Sequence, residues 1–318
     1  MGNLYQVSCA SHGKLALFAL IPHKKVMSKF KSQRSHSSQN NRSSQSGRPQ
    51  GAGGSRSQGP SHRSQGGSPQ RTIDFKNSRV VVGTHAIHEV MKTNLSKIQS
   101  VWLQKGFESS EELRDLEEKC RKNKISVEIH PKEKMQKDFP AHQGAVVFAE
   151  NLQRLDWNVL AEKKESIVLF LDGIEDPHNL GAILRTAWLM GVDALFIPQD
   201  RSVHLTATVH KVACGGVEHV PVEIVPSFQA SVEKLKEMGY WIFGLSHKSS
   251  KVLYNFKFPE KVVWMVGAED KGLRITSERL CDEMARLPQL SADASYNASV
   301  ATALALGETS RQRWGNRN

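Results

Sequence analysis

The stretch IVLFLDGIEDPHNLGAILRTAWLMGVDALFIP, residues 167–198, decides the fold. It opens on an unbroken apolar run, Ile167–Leu171, without the alternation of a half-exposed strand. Such a run is what a parallel strand buried on both faces needs. Pro177 stops the strand from continuing, a helical pattern covers Leu180–Met190, and Gly191 ends it. A second apolar run, Ala194–Ile197, gives the next strand. Downstream the alternation goes on, with strands expected at Glu218–Ile224, Tyr240–Leu245 and Val262–Val266. Helices are expected at Phe228–Met238, Ser277–Met284 and Ser299–Arg311. Strands alternating with helices predict a mostly parallel sheet with helices on both faces.

Upstream lies a smaller unit of the same texture. Strands are expected at Val80–Val82, Ile98–Leu103, Ile125–Ile129 and Gly144–Ala149. Helices are expected at His85–Met91, about Ser109–Lys122 and near Pro131. Residues 151–165, charged around Trp157, read as a connector. The organisation is an arm over 1–77, a small α/β domain over 78–150, a linker over 151–165 and a larger α/β domain over 166–318.

Charge is divided unevenly along the 318 residues. The formal net charge is +11, yet residues 1–71 hold eleven Lys or Arg and no Asp or Glu, so the rest is balanced. Residues 28–71 are dominated by Ser, Gln, Gly, Arg and Pro, with Phe30 the single large apolar residue after Met27. That composition cannot bury enough apolar surface to offset the entropy of ordering and predicts disorder. A basic arm on RNA, a targeting presequence and an inert tail all fit it. Met27 could equally be the true start. The longest apolar run, Leu15–Ile21, is far below the roughly 18–20 residues of a membrane span. Cys9, Cys120, Cys214 and Cys281 form no CxxC pair and no dense framework, which suits a reducing compartment.

Three segments join strand ends to helices or loops, where open α/β sheets bind ligands. In DGIEDPHNLGAILRT, residues 172–186, Asn179 is a good N-cap. Gly181 and Arg185 share a helix face, a bare patch beside a cation that suits an anionic backbone. In VGAEDKGL, residues 266–273, Gly267 and Gly272 permit a tight turn that presents Glu269. In LPQLSADASYNASVA, residues 287–301, a loop of small residues brings Tyr296, Asn297 and Ser299 to the start of an Ala-rich helix. Taken singly, an ordinary capped helix, turn or capped loop is the better reading of these segments. No GxGxxG fingerprint or Walker A loop occurs in the folded part, which argues against a dinucleotide or NTP enzyme. His204, His210, Cys214 and His219 match no zinc spacing, so no metal is expected.

Taken together the segments say more. The order NLGAILRTA (179–187), KVACGGVEHVPV (211–222), VGAEDKG (266–272) and LPQ…SYNASVATAL (287–304) resembles the motif series of the SpoU/TrmH family of RNA ribose 2′-O-methyltransferases. VVGTHAIHEV (81–90) and HQGAVV (142–147) are similar to the substrate-recognition domain of that family's ribosomal RNA guanosine methyltransferases. The third motif usually reads SLNVS; here Tyr296 and Ala298 replace its Leu and Val, Gln289 stands where Met is common and Ser291 where Gly is common.

The resemblance implies an α/β protein whose C-terminal parallel-sheet domain carries a trefoil knot, preceded by a ribosomal-protein-like RNA-recognition domain. It implies S-adenosylmethionine bent in the knot, held around Gly267, Leu287, Tyr296, Asn297 and Ser299, and no metal. It implies a homodimer with the site assembled across the interface. The catalytic set falls on Arg185, Asn179, Glu269, Asn297 and Ser299, with Arg185 acting at the ribose hydroxyl. The expected reaction is methylation of a guanosine 2′-hydroxyl in ribosomal RNA, most readily 23S rRNA, in the bacterial cytoplasm. A transfer RNA methyltransferase of the same family, or an RNA-binding protein of this fold without turnover, are the alternatives for function. A mitochondrial address is the alternative for location.

Overall fold

The computed structural model describes residues 78–152, 154–291 and 294–315. The expected disorder of the basic arm lies outside these residues. The small module comprises β1 (Ser78–Val82), α1 (Thr84–Thr93), β2 (Ile98–Gln104), α2 (Glu111–Lys122), β3 (Ser126–His130), α3 (Lys132–Asp138) and β4 (Ala145–Glu150). Its sheet runs in the order β1-β4-β2-β3, with only the β2–β3 pair parallel. One face packs α1 and α2 through Ile87, Val90, Leu113 and Leu116; the other closes over Trp102, Met135 and Phe148.

The larger module follows: α4 (Trp157–Glu162), β5 (Ser166–Asp172), α5 (Pro177–Leu189), β6 (Ala194–Pro198), α6 (Ala207–Ala213), α7 (Gly216–His219) and β7 (Val222–Val225). It continues with α8 (Gln229–Glu237), β8 (Trp241–Leu245), β9 (Lys261–Gly267), α9 (Ile275–Glu278), β10 (Glu283–Ala285) and α10 (Ala298–Gly315). Its six strands are all parallel, in the order β10-β8-β9-β5-β6-β7. The apolar run of β5 is explained by two cores. Ile167, Leu169 and Leu171 face one, Val168 and Phe170 the other. Trp264 of β9 seats α10 on the first core and donates its indole N–H to Thr309 at 3.0 Å. Strand order reverses between β5 and β9, so the C-terminal ends of these neighbours mark the crevice where such sheets take ligands. There Asp172 is in register with Gly267.

Three expected elements differ. The strand expected over Glu218–Ile224 is split: Gly215, at φ +101°, turns the chain into α7, and only Val222–Val225 is strand. The helix expected over Ser277–Met284 is a single turn, α9, followed by β10 pairing with β8. The Asp282 carboxylate accepts from the Ile242 N–H at 2.9 Å and holds this segment extended at the sheet edge. Within the expected connector 151–165, α4 packs Leu160 and Trp157 on the second core. Among the described residues no helix is long and apolar enough to cross a membrane.

Helix α7 joins the modules. Glu218, its side chain 1% exposed, accepts both guanidinium N–H groups of Arg79 from β1. It also accepts from Asn94 Nδ2 at 2.8 Å. Beside it Glu89 of α1 meets His219 Nε2 at 2.9 Å, a hydrogen bond that holds the Glu89 carboxyl below its ordinary pKa. His219 stacks on Trp188 of α5. His210 of α6 is buried near Arg79, and burial pushes its pKa down to about 3, so the ring there is neutral. Glu218→Ala would leave Arg79 buried without its partner, a loss of about 3–5 kcal/mol. Urea denaturation of the full chain is expected to show that loss, and a difference below about 1 kcal/mol would contradict this account of the junction.

Candidate active site

The site grows from the crevice between β5 and β9. After Gly267 the chain turns through Ala268–Gly272, closed by Gly272 N–H donating to Ala268 O at 2.8 Å, with Gly272 at φ +66°. Gly267 is required by contact: a Cβ there would lie 2.1 Å from the Gly272 carbonyl carbon and 2.3 Å from the Leu273 nitrogen. No side chain fits where two main-chain segments cross this closely. The returning strand of the turn is tied to β5 by Asp172, whose buried carboxylate accepts from Arg274 N–H at 2.9 Å and Arg274 Nε at 2.5 Å. Sequence reasoning passed over Asp172. Its signal was a charged residue closing an otherwise apolar strand.

The turn presents Glu269 to two other segments. Oε1 accepts from Asn179 Nδ2 at 3.0 Å, from Asn297 Nδ2, and from the Ala298 N–H at 3.2 Å. Asn297 Nδ2 also donates to Asn179 Oδ1 at 2.9 Å, while Asn297 Oδ1 accepts from Ser299 N–H at 2.9 Å and Ser299 Oγ at 2.6 Å. Asn297 thus caps α10 with its oxygen and joins the cluster with its nitrogen. All three motifs meet here, through Asn179, Glu269 and Asn297.

The Asn179 N-cap expectation is corrected. Asp176 caps α5, its carboxylate accepting from His178 N–H at 2.8 Å with Pro177 in the first turn, which leaves Asn179 free for Glu269. Gly181 is not a bare patch: Val212 of α6 packs so tightly that a Cβ at 181 would lie 2.6 Å from its Cβ. Arg185 is exposed and shares no hydrogen bond with the cluster. Its guanidinium lies 3.6 Å from Cys214 Sγ, and Cys214 itself is held at φ +49°.

Beside the cluster a cleft runs between the 267–273 turn and the 285–298 segment. Its walls include Leu245, Ala285 and Leu287, with Gly267, Glu269 and Tyr296 at the rim. Tyr296 turns its hydroxyl to donate to Pro288 O at 2.9 Å, and Gln289 Nε2 donates to Ala294 O at 3.0 Å, so two of the four departures from the family motif brace their own loop. Ser295 lines this cleft and was missed; Ser299, chosen from the sequence, serves the helix cap.

A parallel α/β sheet with this motif cluster at its switch point defines the class, and comparison with known proteins supplies the family. Residues 166–307 match the model of the SpoU rRNA Methylase family, and residues 80–155 match that for RNA 2′-O ribose methyltransferase substrate binding. The chain belongs to the SpoU rRNA methylase family. It is 36% identical over 239 residues to the 23S rRNA (guanosine-2′-O-)-methyltransferase RlmB of Pseudomonas aeruginosa, covering 73% of this chain and 96% of that protein. It is 37% identical over 243 residues to RlmB of Neisseria meningitidis serogroup B, covering 74% and 96%. The fold matches the crystal structure of the SpoU methyltransferase AviRb from Streptomyces viridochromogenes in complex with AdoMet. That match has a TM-score of 0.65 and 20% identity, over 76% of this chain and 92% of that one.

The double role of Asn297 can be separated. Asn297→Ser keeps a capping oxygen but removes the amide that donates to Asn179 and Glu269. Stability by urea denaturation should change by about 1 kcal/mol or less. Methyl transfer should fall at least tenfold, on the order of one lost charge-assisted hydrogen bond. Undiminished transfer would show the amide to be idle.

Proposed function

We propose that this chain transfers the methyl group of S-adenosylmethionine to the 2′-hydroxyl of a guanosine in large-subunit ribosomal RNA. The observation that carries the reading is similarity through both modules, at 36–37% identity over 96% of two relatives named for that reaction. The choice of ribosomal over transfer RNA is supported by relatives named for 23S rRNA that are similar through the small module as well, residues 80–155 of which match an RNA substrate-binding model. We assign the reaction to the bacterial cytoplasm, as the substrate of these relatives suggests.

The cleft fits the methyl donor. Gly267 lets the main chain of the 268–272 turn close tightly at the cleft, and Leu245, Ala285 and Leu287 offer apolar walls to an adenosine and thioether. S-adenosylmethionine, when bound, supplies an electrophilic methyl on a sulfonium with a good leaving group. The residues around it need only align the attacking hydroxyl and manage its proton. That hydroxyl is a very weak acid, so a base is needed. We assign this role to Arg185, with the adjacent RNA phosphate sharing the proton. Glu269, Asn179 and Asn297 hold the donor side in shape, and Ser299 keeps Asn297 oriented.

Arg185 shares no hydrogen bond with the cluster and turns to Cys214 instead, which supports a homodimer in which one copy lends Arg185 to the other's cleft. Tyr296 and Val300, exposed beside the cleft, and Leu290 on the same loop suit such an interface. The reading includes the trefoil knot, supported by the family match over residues 166–307 and by the fold shared with SpoU methyltransferases.

The full chain is expected to label an unmodified large-subunit rRNA transcript from methyl-tritiated S-adenosylmethionine. Arg185→Ala should lower transfer by about 10²–10⁴-fold with donor affinity unchanged. Mixing Arg185→Ala with Glu269→Ala should recover part of the activity through mixed dimers. An active Arg185→Ala variant would sink the assignment, and mixtures without recovery would confine the site to one chain.

A further inference from the structure

A second cleft lies on the other side of the 268–272 turn, sharing Ala268, Glu269, Lys271 and Gly272 as a common wall with the donor cleft. Asn179 and Glu269 stand on this wall, so whatever occupies the second cleft touches the motif cluster directly. Its charged groups are mostly committed. Arg274 is held by buried Asp172, Asp176 caps α5, Glu269 is tied to both asparagines, and Lys271 lies 3.9 Å from Asp270.

Arg201 is different. It lines the cleft and is exposed, its side chain makes no hydrogen bond or ion pair among the described residues, and the segment that follows it is tied to Ile174. The neighbouring Val203 N–H donates to Ile174 O at 2.9 Å and Ser202 Oγ donates to the same oxygen at 3.2 Å. Arg201 itself sits at φ +56°, where a glycine would be free of strain and a side chain is not. A cation held in a conformation that disfavours any side chain, and left unpaired beside a reaction centre, is poised for an external anion.

We propose that this cleft seats the target nucleotide and that Arg201 anchors its phosphate. The proposal rests on the methyltransferase reading and adds a substrate-positioning residue to it. A nucleotide suits the lining better than a simple anion. Glu175 and Asp270 would repel a lone anion, but they can accept from the hydroxyl and N–H groups that a nucleotide carries along with its phosphate. The guanidinium fork matches two phosphate oxygens at once, which an ammonium cannot do.

The test uses the full chain, an unmodified large-subunit rRNA transcript and S-adenosylmethionine. Arg201→Gly removes the cation and relieves the backbone, so misfolding cannot mimic the effect. KM for RNA should rise about tenfold. The turnover number should stay within about twofold, the pattern of lost uniform binding. The slope of log RNA affinity against log salt should flatten by about 0.7. Donor affinity by titration calorimetry should not move, and Arg201→Lys should restore the salt slope while recovering only part of the KM. An unchanged KM and slope in Arg201→Gly would overturn the proposal, as would a parallel fall in donor affinity. RNA affinity is read apart from turnover. A wild type that binds RNA but transfers no methyl would therefore sink the enzymatic reading, while the Arg201 comparison is still decided by its salt slope.

Discussion

Two stretches of main chain cross at Gly267, closer than any side chain would allow, and the site hangs on that crossing. The buried Asp172 carboxylate fixes it from below by taking both the main-chain and side-chain N–H of Arg274. With the turn locked, Glu269 has one place to stand, and the asparagines from α5 and the start of α10 converge on it. The cluster is polar and exposed, so its hydrogen bonds alone would organise little. The order comes from the buried sheet and the crossing, and the cluster inherits it.

The same economy governs the link between modules. Helix α7 is one turn long, yet it carries Glu218 to Arg79 and Asn94, and His219 to Glu89. The His219 ring also lies flat on Trp188, three residues from Arg185 on α5. The module whose sequence matches a substrate-binding model is thereby fixed against the helix that bears the proposed base. Buried ion pairs give less net stability than apolar packing would, but breaking one is expensive, which makes this junction a matter of orientation.

Much of this was legible in the residues. Continuous apolar runs at Ile167–Leu171 and Val262–Val266 gave the parallel sheet because both faces of those strands are covered. The motif order gave the family and brought out Asn179, Glu269 and Asn297, which do meet. What the sequence hid was set by tertiary partners. Glu218 reads as strand until its partner Arg79, 139 positions away, is known. Cys281–Met284 reads as helix until the edge of β8 is available to pair with it. Gly181 looks like an opening for a ligand, and only the packed structure fills it with Val212. Asp172 and Arg201 carry no motif of their own; burial of one and the unpaired cation of the other appear only in three dimensions.

The central claim is that the Gly267 crossing builds the donor cleft. Titration calorimetry of S-adenosylmethionine into the full chain, wild type against Gly267→Ala, tests it most directly. The added methyl must push the 267 and 272–273 segments apart, an overpacking cost of about 1–3 kcal/mol or more at the cleft itself. The account predicts saturable binding to the wild type and binding weaker by at least about tenfold in the variant. Equal affinity in the two proteins would contradict it.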